Sequence, residues 1–331
     1  MPQQNRKPLR GSRILGVGGY RPQRVVTNDE IAERTGRSAE WIERRTGIVE
    51  RRYAAPDETV ADMAVEAATK AAADAGVPAG ELDAVIVASM SRIRHSPGVA
   101  PEVAYRLGSM KGAFDLNAAC AGFCYALAMA AAMVQAGTAD HVAVIGSDKM
   151  TDIIDLADPS VGPLFADGAG AMVVGPSEQN QIGPAAWGSD GSKRELIGHR
   201  ATWLEYRDDP GAAWPTMGMA GPEVFRWAIE TMPAAAVRAA ALAGVGLAEL
   251  AAFVPHQANQ RMTEKLVERL GLPERVAVAS DVMTAGNTST ASIPLAVIRL
   301  RELGALHSGG LALFLGFGGG LAWAGQVAQL P

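Results

Sequence analysis

Both cysteines of this 331-residue chain lie in one stretch, NAACAGFCYALAMAAAM, residues 117–133. A buried cysteine commonly serves as a small apolar filler, so a thiol needs a particular setting before it is read as a nucleophile. Cys120 has such a setting. It closes the extended-looking segment GAFDLNAA and precedes a run rich in alanine, leucine and methionine, which favours a helix. The positive end of a helix dipole and its unpaired N–H groups would there favour the thiolate. Cys124 falls one turn inside the same helix, a packing position. The two thiols are four residues apart with no histidine beside them, so no metal-site spacing is present.

A nucleophilic thiol also needs a partner. Of the five histidines, His95, His141, His199, His256 and His307, the fourth follows the apolar run AAFVP and opens the loop PHQANQ. That places His256 at the C-terminal end of a strand, where α/β sites collect. Asn287 in AGNTSTAS would bring an amide to a similar loop, although Gly-Asn alone is first of all a turn signal. The glycines of GFGGGLAW (316–323) fit a simple turn, or backbone amides laid close to a substrate oxygen, as an oxyanion site requires.

The elements that must position these residues are α/β. Short apolar runs (84–89, 141–146, 171–175, 251–255, 276–280 and 311–316) alternate with alanine-rich helical stretches, predicting strands covered by helices. The chain also echoes itself. AAADAGVPAGELDAVIV (71–87) resembles AAALAGVGLAELAAFVP (239–255), with Glu81 and Glu249 aligned 168 residues apart. The same shift carries Cys120 onto Thr288, next to Asn287, and a shift of 170 carries Gly146 onto Gly316. Two similar α/β halves are therefore expected, 13–175 and 176–331, behind a flexible tail at 1–12.

Composition narrows the function. Hydrophobic residues make up 48% of the chain, enough for a large core; no apolar run of signal-peptide length follows the basic N-terminus, and no later run reaches the length of a membrane span. Two cysteines cannot form a disulfide framework, which suits the cytoplasm. A formal charge of −5 without a basic stripe argues against a nucleic-acid partner. Abundant alanine and arginine suggest a GC-rich bacterial genome.

NAACAGF, VPHQAN, GNTSTAS and GFGGGLAW, in this order and spacing, resemble the β-ketoacyl-acyl-carrier-protein synthase III family. The likeness extends to RILGVGGYRPQRVVTNDEI, EWIERRTGI, FADGAGAMVVG and EVFRWA, from about Arg13 to Pro331. It implies a thiolase-like fold, two similar α/β halves packed as a layered αβαβα core. By resemblance Cys120 accepts an acyl group, and His256 and Asn287 complete the catalytic set. The Cys120 and Gly319 N–H groups would form the oxyanion hole. Trp41, Arg45, Phe225 and Asn259 would bind the substrate or coenzyme A, and Arg261 and Arg226 would dock an acyl carrier protein. Neither metal nor cofactor is implied; the substrates would be an acyl-CoA or other thioester and malonyl carrier protein, and the enzyme a homodimer. Elongating ketosynthases carry a second histidine in place of Asn287 and thiolases a second cysteine. Chalcone synthases and papain-like hydrolases share the residue types without this wording.

Two departures bear on substrate. Pro159 stands where many relatives have an arginine that stacks on the adenine of coenzyme A opposite the tryptophan. Ser96 stands where relatives restricted to acetyl carry a large aromatic that shortens the partner subunit's tunnel, in a loop whose Arg92 and Arg94 are alternative plugs. The expected activity is priming of fatty-acid synthesis. Starter-unit loading for an aromatic polyketide and acyl transfer without decarboxylation are the alternatives.

Overall fold

The structure is a computed structural model that describes residues 10–209 and 211–331. Two five-stranded sheets carry it. The first contains β1 (Gly11–Tyr20), β2 (Ala84–Ala88), β3 (Gly112–Leu116), β4 (Val142–Lys149) and β5 (Asp167–Ser177), in the order β1-β5-β4-β2-β3. The second contains β6 (Ala186–Ser189), β7 (Ala252–Pro255), β8 (Ala277–Val278), β9 (Leu311–Gly318) and β10 (Ala322–Gln329), in the order β6-β10-β9-β7-β8. The two orders match position for position. In each sheet the last three strands run parallel and the first two are antiparallel to their neighbours.

Four helices matter for the site: α1 (Val60–Ala75), α2 (Gly122–Gln135), α3 (Gly221–Leu242) and α4 (Ser292–Glu302). Helix α1 starts at a Thr59–Asp62 capping box and stops at Gly76, which turns left-handed with φ 66°. Strand alternation sorts the layers. Ile86, Val144 and Val174 face inward against Phe123, Leu127 and Val134 of α2. Val85, Ile145 and Val173 face outward against the alanines of α1. On the other side Val254, Phe314 and Ala324 join α2 and α4 in the same central core, while Phe253, Leu313 and Leu315 pack under α3. Helices α2 and α4 thus lie between the sheets, and α1 and α3 cover the outer faces, an αβαβα sandwich.

The internal echo is a structural repeat. The short 3-10 turns Ala79–Glu81 and Leu247–Glu249 precede β2 and β7 at the same 168-residue spacing. Gly146 on β4 and Gly316 on β9 are where the halves meet. A Cβ on Gly146 would lie 2.3 Å from the carbonyl oxygen of Thr290, and one on Gly316 would lie 3.1 Å from both Ala121 Cα and Cys124 Sγ. The middle strand of each sheet thus admits the site loop of the opposite half.

Some boundaries differ from those read in the sequence. Residues 1–9 of the expected tail lie outside the described residues, but Arg10 to Ser12 are held. Arg10 donates to the carbonyls of Val134 and Ala139 and pairs with Asp140, and β1 begins at Gly11. The run 276–280 yields only a two-residue strand, at the edge of its sheet. The expected division at 175/176 falls inside β5, since pairing with β1 continues to Ser177. Among the described residues no helix is long and apolar enough to cross a membrane.

Gly146→Ala should destabilise the chain by about 1–3 kcal/mol, because its methyl meets rigid backbone rather than a side chain that can swing away. A urea midpoint equal to that of the unmodified protein would show that the halves can separate without cost.

Candidate active site

Cys120 occupies a sharp connection between β3 and α2. Ala119, just before it, has φ 47°, and the N–H groups of Ala121 and Gly122 bond back to Ala118 and Ala119. The first helical residue is Gly122, so Cys120 sits two residues ahead of the helix, with its side chain 6% exposed in a cavity of about 930 Å³. Burial pushes its thiol up to about 12; a hydrogen bond from Ser289 opposes that shift, and the Asp148 carboxylate adds to it. The helix-end effect expected from sequence is therefore outweighed, and resting Cys120 is a thiol. Cys124 is fully buried in the central core, its thiol also pushed up to about 12 by burial.

The second half supplies the other two groups. His256 follows β7, its N–H held by the Leu315 carbonyl, its ring edge-on to Phe317 with centroids 5.4 Å apart. Nδ1 lies 2.8 Å from Ser292 Oγ on α4, and the same oxygen accepts from the Gln257 N–H at 3.3 Å. With the Ser292 hydroxyl donating to Nδ1 while it accepts from the backbone, the ring proton would lie on Nε2. Burial holds the imidazole pKa down to about 3, so the ring is neutral.

Asn287 is fixed on three sides. Its N–H donates to the Leu164 carbonyl, its carbonyl accepts from Ala166, and its Oδ1 accepts from the Ser289 N–H at 2.9 Å. With Oδ1 occupied, the amide's NH2 is the end left for a ligand. Ser289 itself has φ 51° and is wholly buried, its hydroxyl 3.5 Å from Cys120 Sγ.

Cys120, His256 and Asn287 all line the one cavity, with Gly318 and Phe317 beside them. Gly318 approaches so closely that a Cβ there would lie 2.8 Å from Cys120 Cβ. Gly319 is buried next to it but does not line the cavity. Met90, Leu164, Phe165, Ile197, Met217 and Met219 provide apolar wall. At the lining too are Trp41, Arg45, Phe225, Asn259, Arg226, Arg261 and Pro159. Asn259 caps the helix Gln260–Leu270 by accepting from Met262 N–H at 2.8 Å. Ser96 is exposed and does not line this chain's cavity, and Arg92 is turned toward Asp115 at 3.8 Å.

Sequence reading overlooked several neighbours. Arg37, Arg44 and Arg269 join the expected arginines in the lining, and the Arg37 guanidinium sits 5.2 Å from the centroid of the Trp41 ring. No spacing rule reaches these residues, because three separate helices and loops bring them together. Ser289 and Ser292 lie inside the motif that yielded Asn287, so their signal was present but unused. Asp148 carries no sequence signal at all. Its buried carboxylate accepts from Ser89, Met90 and Ser91 on one side and from Thr290 on the other.

Known proteins share this arrangement. The family profile described as 3-oxoacyl-[acyl-carrier-protein (ACP)] synthase III matches residues 114–191, and its C-terminal counterpart matches residues 240–330. A β-ketoacyl-[acyl-carrier-protein] synthase III of Streptomyces glaucescens is 49% identical over 329 residues, covering 98% of this chain and 99% of that protein. A mycobacterial β-ketoacyl-[acyl-carrier-protein] synthase III of Mycobacterium avium is 46% identical over 319 residues, 96% of this chain and 95% of that one. Among solved structures, the priming β-ketosynthase of the R1128 polyketide biosynthetic pathway superposes with a TM-score of 0.97 at 47% identity, covering 100% of this chain and 99% of that one. The 3-oxoacyl-(acyl carrier protein) synthase III of Pseudomonas aeruginosa PAO1 follows at a TM-score of 0.90 and 36% identity, with 97% and 99% covered. With a thiol, a neutral imidazole and an oriented amide in one cavity between repeated α/β halves, the chain belongs to the 3-oxoacyl-[acyl-carrier-protein] synthase III family of acyltransferases.

Proposed function

We propose that the protein condenses an acyl primer, delivered as a thioester, with malonyl carrier protein, releasing CO2 and a β-ketoacyl carrier protein. The observation that carries this reading is the pairing of a buried thiol with two neutral hydrogen-bond donors, a protonated His256 Nε2 and the Asn287 amide. Cys120 sulfur attacks the primer carbonyl, the donor C–S bond breaks, and the thiol proton departs with the leaving thiol. The exchange of one thioester for another is nearly isoenergetic, and it splits one hard step into two. Malonyl thioester then loses CO2, and the enolate oxygen accepts from His256 and Asn287. Neutral donors suit this step, since they stabilise the developing charge without giving up a proton. The enolate carbon attacks acyl-Cys120, whose oxyanion would be held by the Cys120 N–H and by the N–H of Gly319, which directly follows the lining residue Gly318.

The rim arginines fit the carrier. The chain is acidic, so an acidic partner needs a local basic surface, and Arg37, Arg44, Arg45, Arg226, Arg261 and Arg269 surround the entrance. Phe225 and Asn259 would contact the pantetheine arm, and Trp41 a base of coenzyme A. Arg261 is shared with Glu264 at 3.1 Å, which leaves the others less encumbered. Strand β3 is a free sheet edge near exposed Ile93, Tyr105 and Met110, the face we assign to a homodimer. Ser96, on the same side, would reach a partner's tunnel there. Two free cysteines suit a cytoplasmic setting. The likeness to the R1128 priming ketosynthase favours polyketide starter loading as the second reading.

Incubation with an acyl thioester should place the acyl mass on Cys120 and not on Cys124; peptide mapping that finds the reverse removes the nucleophile assignment. Asn287→Ala should still acylate, yet lose about 10²–10³-fold in malonyl-dependent CO2 release. Equal loss in both half-reactions would make Asn287 structural, and acylation without any CO2 release in the unmodified enzyme would point to transfer without decarboxylation. Substituting Arg226 and Arg261 with glutamate should raise KM for malonyl carrier protein while leaving acylation by a small thioester intact; an unchanged KM moves docking elsewhere.

His256 also links stability to pH. Unfolded, it takes up a proton below about 6.5; folded, only near about 3. Acid therefore weakens the native state through this group as pH falls from 6.5 toward 3, and the loss stops below that. His256→Asn should flatten the pH dependence of the unfolding free energy in that window by up to one proton. An identical slope would mean that the ring charges in the folded protein.

A further inference from the structure

We infer that Ser289 is a catalytic residue whose hydroxyl donates a hydrogen bond to the Cys120 sulfur as that sulfur turns into the attacking, and later the departing, thiolate. The inference rests on Cys120 being the nucleophile. Three observations support it independently of one another. The Ser289 hydroxyl lies 3.5 Å from Cys120 Sγ and has no other hydrogen-bond partner among the described residues. A wholly buried hydroxyl is normally satisfied by an oxygen or nitrogen, so one directed at a sulfur has given up a stronger partner.

The second observation is conformational. Among the described residues only Ala119 and Ser289 combine a side chain with a positive φ, at 47° and 51°. Such backbone costs on the order of 1 kcal/mol or more and concentrates at working sites. The two are 170 residues apart, the spacing that also relates Gly146 to Gly316, so they are equivalent turns of the repeated halves. In the first half the turn is made by alanine. The turn therefore has no need of a hydroxyl, and the serine of the second half is free for another task. Its N–H holds the Asn287 amide, and its side chain crosses to the sulfur of the opposite half.

The third is electrostatic. Among the described residues no cation acts on Cys120; His256 is neutral, and the charge that does act is the Asp148 carboxylate, which disfavours a thiolate. Whatever stabilises negative sulfur here must be a neutral donor, and Ser289 is positioned to be one. Its bookkeeping is simple. During acylation the sulfur–carbonyl bond forms, the donor's C–S bond breaks, and the thiol proton ends on the leaving thiol. Ser289 keeps its own hydrogen throughout. When the enolate carbon displaces the sulfur, the same hydroxyl donates a hydrogen bond to the thiolate that leaves, which then takes a proton from solvent to return to the thiol.

The rate of alkylation of the intact protein by iodoacetamide, measured at fixed pH values between 6 and 11 with the modified residue mapped, tests this without any carrier or malonyl substrate. Ser289→Ala retains the N–H to Asn287 and the left-handed turn but lacks the donor. Ser289→Gly lacks the donor too, and relieves the turn. Both should slow Cys120 alkylation about tenfold or more at every pH in that range, because the thiolate fraction is smaller without the donor. Acylation by a small thioester should slow in parallel, whereas Ser289→Gly should melt no lower than the unmodified protein. Label on Cys120 at an unchanged rate in both variants overturns the role of Ser289. Label on Cys124 overturns the nucleophile itself, a result distinguishable from the first.

Discussion

The Asp148 carboxylate is the interaction on which the site depends. It is wholly buried, with Oδ1 taking hydrogen bonds from Ser89, Met90 and Ser91 and Oδ2 taking two from Thr290. An isolated carboxylate in such a place would protonate or unfold the chain, and only several charge-assisted bonds make it tolerable. Those bonds join the end of β2 in one half to the loop after Asn287 in the other. The carboxylate therefore sets the register between the nucleophile's sheet and the amide's loop. It also brings a like charge toward the sulfur, so the chain secures geometry at some cost in thiol acidity.

A repeated fold with a single active site divides its labour. Each half contributes a loop at the end of a parallel strand, a turn with positive φ, and a helix that starts beneath it. In one half that loop presents a sulfur; in the other it presents an amide, with His256 arriving from the neighbouring strand β7. In the proposed reaction the same architecture would serve as nucleophile platform and donor platform, because sheet, turn and helix define positions while the chemistry depends on the side chain placed there.

Much of this was legible in the sequence. Strand and helix alternation, the 168-residue echo and the four motifs led to the layered fold and to Cys120, His256 and Asn287. What sequence could not supply was the balance of burial against local dipoles. The run before Cys120 read as a helix start that should favour thiolate, yet the thiol is covered by the second half, whose approach no local window reports. The arginine rim was likewise only partly visible, since Arg37, Arg44 and Arg269 become neighbours of Arg226 only after three helices have packed. The edge strand at 277–278 pairs with β7 only at Ala252 and Phe253, although β7 pairs over all four of its residues with β9 on its other side.

The placement of α2 bears on how such a chain can be built during synthesis. Its Phe123, Leu127 and Val134 pack in one core with Val254, Phe314 and Ala324, residues that leave the ribosome more than a hundred positions later. Until then one face of the central layer has nothing to lie against. The repeat thus looks like two domains in the sequence, but the helix of the first half is enclosed only when both halves are present, so the two are expected to fold together. A nascent first half must remain soluble with an apolar helix face uncovered, which makes it a natural client for chaperones and a poor candidate for expression alone.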